Sequence, residues 1–186
     1  MKKTAISLSL LVAMGLATVG AQAASTGTIM FNGELTDTTC DVDVNGQGAD
    51  ATVTLPTVSV NQLAASGDTT GRTSFNMNLS KCVIGTTGGH SKVSTFFQAG
   101  STVDLATGRL KNVGGTATNV GLQLLDVSGN YAAINIGNTD QVNDTAYVDI
   151  NGDGTALLPY AVQYFASAQT TPGTVTSSVI YNLQYK

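Results

Sequence analysis

The sequence predicts an all-β chain folded as an antiparallel sandwich, and three observations carry that prediction. Apolar and polar residues alternate in several short runs, the pattern of half-buried strands. Turn dipeptides separate those runs at short intervals. No stretch sustains a helical period, in a chain rich in Gly and Thr and without Trp.

Taken in order, the first run is Thr28-Ile29-Met30-Phe31-Asn32-Gly33-Glu34-Leu35. Asn32-Gly33 is also a hairpin-turn dipeptide, but the arms of such a hairpin would hold only three or four residues. Isolated short hairpins are marginal, so one continuous strand is expected there. Residues Val60 to Ala65 lack strand alternation and predict a short helical turn. Phe75, Met77 and Leu79 then share one face, with Asn76, Asn78 and Ser80 on the other. Val120, Leu122 and Leu124 form the next apolar face, and Tyr160, Val162 and Tyr164 another. The last run, Ser178 to Lys186, places Val179, Tyr181, Leu183 and Tyr185 together. Turns are expected at Gly88-Gly89, Gly114-Gly115, Ser128-Gly129-Asn130, Asn151-Gly152-Asp153-Gly154 and Pro172-Gly173.

The N-terminus predicts export. Lys2 and Lys3 precede an apolar run from Ala5 to Val19, and Ala21-Gln22-Ala23 has the small-x-small form of a signal-peptidase site. The run is shorter than the ~20 residues a spanning helix needs. Residues 1–23 are therefore read as a signal peptide, cleaved after Ala23 or Ala24, with no direct membrane insertion of the mature chain. Cleavage leaves 163 residues, enough for one domain with its own core. Loss of Lys2 and Lys3 takes the formal charge from −4 to −6. So acidic a surface argues against nucleic acid or anionic lipid as partner. Cys40 and Cys82 form an even pair in an exported chain, which predicts a disulfide.

Several residues invite catalytic or binding readings that the pattern does not support. Asp149 to Gly154 imitates the start of a calcium loop, yet the twelfth position is Tyr160 rather than glutamate. Tight turns account for it, and no metal or other cofactor is expected. His90 is the only histidine and is read as an exposed loop residue, with no triad partners marked out. Five of six tyrosines lie between Tyr147 and Tyr185, read as sandwich core and groove floor rather than a sugar platform.

Four blocks then carry a resemblance. They are Gly27-Thr28-Ile29-Met30-Phe31-Asn32-Gly33 with Cys40; Leu63, Gly67, Phe75, Met77, Leu79 and Cys82; Ala117 to Asp126 with Gly129; and Pro159 to Ala166 with Pro172-Gly173 and Tyr185 next to last. In this order the chain resembles the fimbrial subunits of the chaperone–usher pathway, especially major rod pilins of type 1 and P pili. The resemblance implies an immunoglobulin-like sandwich lacking its final strand, completed by donor-strand exchange. It divides the mature chain into a donor-strand extension, 24–36, and a pilin domain, 37–186. In the extension Ile29, Phe31 and Leu35 would plug a neighbour's groove, and Gly33 would meet a narrow pocket. Val179, Tyr181, Leu183, Tyr185 and Lys186 would form the groove-side, chaperone-contacting C-terminal strand.

The implied partners are copies of itself and other fimbrial subunits, a periplasmic chaperone and an outer-membrane usher. The implied location is a fimbrium on the cell surface, reached through the periplasm, where the subunit supports cell adhesion without enzymatic activity. The alternatives are a minor or adaptor fimbrial subunit, and a self-contained secreted β-sandwich that binds carbohydrate.

Overall fold

The computed structural model describes residues 27–84 and 90–186. The leader read over 1–23, the start of the extension at 24–26 and the Gly88-Gly89 turn lie outside the described residues. The chain divides into two units, 1–34 and 35–186. In the first, residues 27–34 adopt no regular secondary structure. Ile29 is 77%, Met30 80% and Phe31 90% exposed. Neither the continuous strand expected over Thr28 to Leu35 nor the alternative hairpin forms. Alternation prepares a segment for a sheet, but backbone N–H and C=O groups need a partner strand before a ladder exists.

The second unit is built from strands β1 (Thr39–Val44), β2 (Thr69–Val83), β3 (Lys92–Phe97), β4 (Val103–Asp104), β5 (Arg109–Lys111), β6 (Val120–Asp126), β7 (Ala132–Ala133), β8 (Val148–Asp149), β9 (Ala156–Ala166) and β10 (Tyr181–Tyr185). A 3-10 turn covers Val60–Leu63, as the missing alternation predicted, and one helical turn, α1, covers Gln141–Asp144. Every pairing is antiparallel. The larger sheet runs β1-β2-β9-β6-β5-β4 with β7 beside β6, and the smaller runs β10-β3-β8. The final strand is shorter than the sequence suggests, beginning at Tyr181 rather than Ser178. It pairs with β3 from Tyr181↔Phe97 to Tyr185↔Val93.

The core follows the alternation. Phe75, Met77 and Leu79 of β2, Leu122 and Leu124 of β6, and Leu158, Tyr160 and Val162 of β9 are all buried. Tyr160 joins the two sheets: its ring lies 5.8 Å from Phe75 and meets Phe97 edge-on at 5.2 Å. Its hydroxyl accepts a hydrogen bond from the Thr95 N–H at 3.2 Å, and burial pushes its pKa up. Buried polar groups on this side are satisfied. Gln141 accepts from the Phe97 N–H and donates to the Phe97 carbonyl, both at 3.0 Å.

Gly71 interrupts β2 with φ +67°, at the register shift between Thr70 and Thr73. A Cβ there would lie 2.8 Å from the Tyr164 ring, so only glycine admits that ring beside the strand. Cys40 and Cys82 are bonded, tying β1 to the end of β2. Asp149 to Gly154 ends β8 and turns into β9, with the Asn151 N–H donating to the Thr155 carbonyl at 2.8 Å. His90 is partly buried rather than exposed as expected, where the chain enters β3.

Candidate functional site

Two stretches of chain belong to neither sheet, residues 49–60 and residues 171–180, the latter leading into β10. They form facing walls of a groove. On one wall Val53, Leu55, Val58 and Val60 are half-buried while Thr52, Thr54 and Ser59 are exposed. On the other, Val175, Ser177, Val179 and Tyr181 are half-buried while Thr176, Ser178 and Ile180 face out. The floor is core: Phe75, Met77, Leu122, Leu124 and Val162. The opening comprises two cavities, of about 460 and 580 Å³. The first runs from Ala49 to Leu55 on one side and Ser177 to Tyr181 on the other. The second is lined by Thr57, Val58 and Val60 opposite Thr170 to Thr176, with Tyr164 between.

Backbone pairing is one-sided. The outer edge of the second wall is satisfied: Val113 N–H donates to the Thr176 carbonyl, Ala117 N–H to the Thr174 carbonyl and Gln98 N–H to the Ile180 carbonyl. Between residues 49–60 and 171–181 no backbone hydrogen bond forms. The Tyr181 hydroxyl crosses that gap, donating to the Ala49 carbonyl at 2.8 Å. From the floor, the Tyr164 hydroxyl reaches the Pro56 carbonyl at 3.3 Å. Burial raises the pKa of both phenols, and the nearby Asp50 carboxylate adds to the effect at Tyr181. The Ser177 hydroxyl, lining the first cavity, is buried with no hydrogen-bond partner.

Such a groove has the chemistry of a missing strand. Its walls alternate as strands do, its floor is apolar, and no backbone ladder joins its two edges. Exposed apolar surface and unpaired edges are both unfavourable, so the site gains stability from an extended, alternating segment. Among the described residues no cluster of His, Cys, Asp or Glu could hold a metal ion, and nothing in the groove provides a nucleophile beside a base.

Tyr181→Phe removes the bond between the walls and is expected to lower unfolding stability by about 0.5–1.5 kcal/mol. Urea denaturation reads this directly. An unchanged midpoint would mean the hydroxyl exchanges its bond for water without loss.

The residues singled out from sequence fall in several places. Val179 and Tyr181 line the first cavity. Leu183 and Tyr185 lie further along β10, half-buried against the core and paired with β3. Lys186 is exposed, its backbone N–H and carbonyl both bonded to Lys92 and its Nζ 4.8 Å from the Tyr147 ring centre. Ile29, Phe31 and Gly33 belong to the first unit, and a Cβ at Gly33 would meet nothing within 4 Å. Leu35 is fully exposed. Sequence reasoning missed the wall at 49–60. The alternation Thr52-Val53-Thr54-Leu55 could have found it, but Pro56 breaks the run and shifts its phase.

The family model for type-1 fimbrial protein, A (FimA) matches residues 55–186. The major fimbrial subunit SMF-1 of Stenotrophomonas maltophilia is 45% identical over 165 residues, covering 87% of this chain and 94% of that one. The F17 fimbrial protein of Escherichia coli is 37% identical across the full length of both chains. Among solved structures, the P pilus rod subunit PapA superposes with a TM-score of 0.56 at 20% identity, over 78% of this chain and 99% of its own. A chaperone–usher pilus structure gives 0.55 at 21% identity, over 88% and 98%. The structural likenesses establish a common fold, an immunoglobulin-like pilin sandwich.

Proposed function

This chain belongs to the type-1 fimbrial protein family and is a structural subunit of a bacterial surface fimbria, and from its open groove we infer how the copies join. The N-terminal extension, 24–36, of one subunit enters the groove of the next between residues 49–60 and 171–181. The observation that carries this reading is the one-sided pairing of the second wall over an apolar floor. The donor is supplied by the exposed alternation of Ile29, Phe31 and Leu35. Burying each side chain contributes roughly 1.5–3 kcal/mol, offset in part by association entropy. A ladder along both groove edges adds to that.

Before assembly the groove must be covered, and a periplasmic chaperone and outer-membrane usher are the partners that fit this need. Tyr185 and Lys186, at the end of β10, are the residues proposed to meet the chaperone. The subunit acts by assembly, without catalysis, and as the principal rod subunit rather than an adaptor. A self-contained carbohydrate-binding monomer is opposed by the groove itself, because a closed sandwich leaves no unpaired strand edges over its core.

Electron microscopy of cells carrying only this subunit with its export genes tests the proposal. Abundant rods are expected, and their absence would return the chain to a minor or adaptor role. Gly33→Leu probes the pocket assignment: it is expected to block polymerisation while sparing chaperone capture. Normal fibres from that variant would overturn the placement of Gly33 at a narrow pocket.

A further inference from the structure

A second recess lies on the opposite face of the larger sheet from the groove. Strand alternation separates the two: Tyr164 lines the groove, whereas the next residue, Phe165, lines this recess of about 350 Å³. In register, Phe165 sits opposite Gly121 and Gly121 opposite Lys111. Gly121 has no side chain, and a Cβ there would lie 2.6 Å from the Leu110 carbonyl oxygen. The Arg109 guanidinium lies 3.6 Å over the Phe165 ring.

Arg109 is unusual for two reasons. Its Nε is buried and has no hydrogen-bond partner. Among the described residues neither it nor Lys111 forms an ion pair, whereas Lys81 pairs with Asp41 and Lys92 with Asp149. Two cations thus share one small recess with a single carboxylate, Asp104, which lies opposite Arg109 in register and whose pKa both cations help to lower, in a chain that is acidic overall.

The other polar groups limit what could enter. Asp104 lines the recess, but its carboxylate is engaged by the Thr107 hydroxyl at 2.8 Å and the Ala106 N–H at 3.1 Å, which hold its pKa below the usual value. Asn119 lines the recess and donates its side-chain amide N–H to the Gln169 carbonyl at 2.9 Å. Ser167 also lines the recess. Two cationic donors beside a hydroxyl and an amide oxygen suit a small anion that itself carries hydroxyls.

We propose that this recess is a subsite for an acidic sugar, its carboxylate held by Arg109 and Lys111 and its hydroxyls by Asn119 and Ser167. The guanidinium fork matches a carboxylate, and Phe165 holds that fork in place. A flat protein contact is a poorer fit to a concave site of this size. Phe165 lies on the other strand face from Tyr164, although Leu110 and Val120 border both the groove and the recess. If copies polymerise as inferred above, each fibre repeats the site along its length, and repetition converts weak single-site binding into firm retention.

The test uses purified fibres of the full mature chain on surfaces coated with polygalacturonate, dextran sulfate or neutral dextran. Retention is expected on polygalacturonate alone. Arg109→Ala should reduce it about tenfold or more. Arg109→Lys should recover part of it, and Lys81→Ala, remote from the recess, should change nothing. Retention on neutral dextran, equal retention on dextran sulfate, or loss with Lys81→Ala equal to that with Arg109→Ala would each overturn the assignment. So would loss of side-by-side fibre association in Arg109→Ala when the wild type ignores all three polymers, because the site would then be a contact between copies. Galacturonic acid titrated against the soluble mature subunit, with NMR shifts expected at Gly121 and Phe165, tests the recess without fibres. Failure to polymerise and failure to bind are thereby read separately, and no shift at saturating sugar would end the proposal.

Discussion

Deletion of residues 24–36 is expected to abolish fibre formation while leaving a subunit that still accepts a donor strand. Its described residues, 27–36, form no strand, and the first paired residue is Thr39. The core of the second unit, from Val44 to Val162, is therefore retained. What is lost is the donated row of Ile29, Phe31 and Leu35, worth roughly 1.5–3 kcal/mol per side chain before the ladder is counted. Electron microscopy should find no rods. A synthetic peptide of residues 27–36 should raise the thermal midpoint of the truncated subunit in a concentration-dependent way, as any ligand of the folded state must. Fibres from the truncated protein would refute strand exchange. A peptide that leaves the midpoint unmoved would refute the groove as its acceptor.

Cys40→Ser carries the second large effect. The bridge closes a loop with a sequence separation of 42, and in the chain-entropy model its loss costs about 4 kcal/mol. Its position raises the stakes. β1 is an edge strand held to the sheet only by β2, and its register slips between Thr39 and Asp41, at the cysteine itself. β1 also contributes Val44, which lines the groove. A frayed β1 would loosen the groove as well as the fold. Periplasmic yield and urea midpoint should both fall. An unchanged midpoint would mean that packing of Val42 and Val44 holds the strand without the bridge.

Much of the sandwich was legible because its strands cross a boundary between core and solvent. Phe75, Met77 and Leu79 repeat every second residue, and each is buried. Tyr160 and Val162 do the same on β9, and Leu122 and Leu124 on β6. The disulfide followed from two cysteines in a chain whose N-terminus reads as an export leader. The 3-10 turn at Val60–Leu63 followed from a lapse in alternation. Other features were hidden. Alternation from Val175 to Tyr185 is continuous, yet only Tyr181–Tyr185 is a strand. The preceding residues meet irregular chain around Asn112 to Ala117 on one side and a gap on the other. Thr28 to Leu35 joins no sheet within its own chain.

The amino-acid order alone therefore determined the class of fold, the faces of the long strands, the bonded cysteines and the presence of an alternating segment near each end. These depend on local periodicity and composition, which each stretch of chain carries by itself. The tertiary structure decided where the sandwich is left open, which half-buried residues from 49–60 and 171–181 face one another across the opening, and that Arg109 comes to rest on Phe165 behind it. The reason is that a strand is completed by its neighbour. Whether an alternating segment is paired, and on which edge, depends on backbone groups far away in sequence that only folding brings alongside.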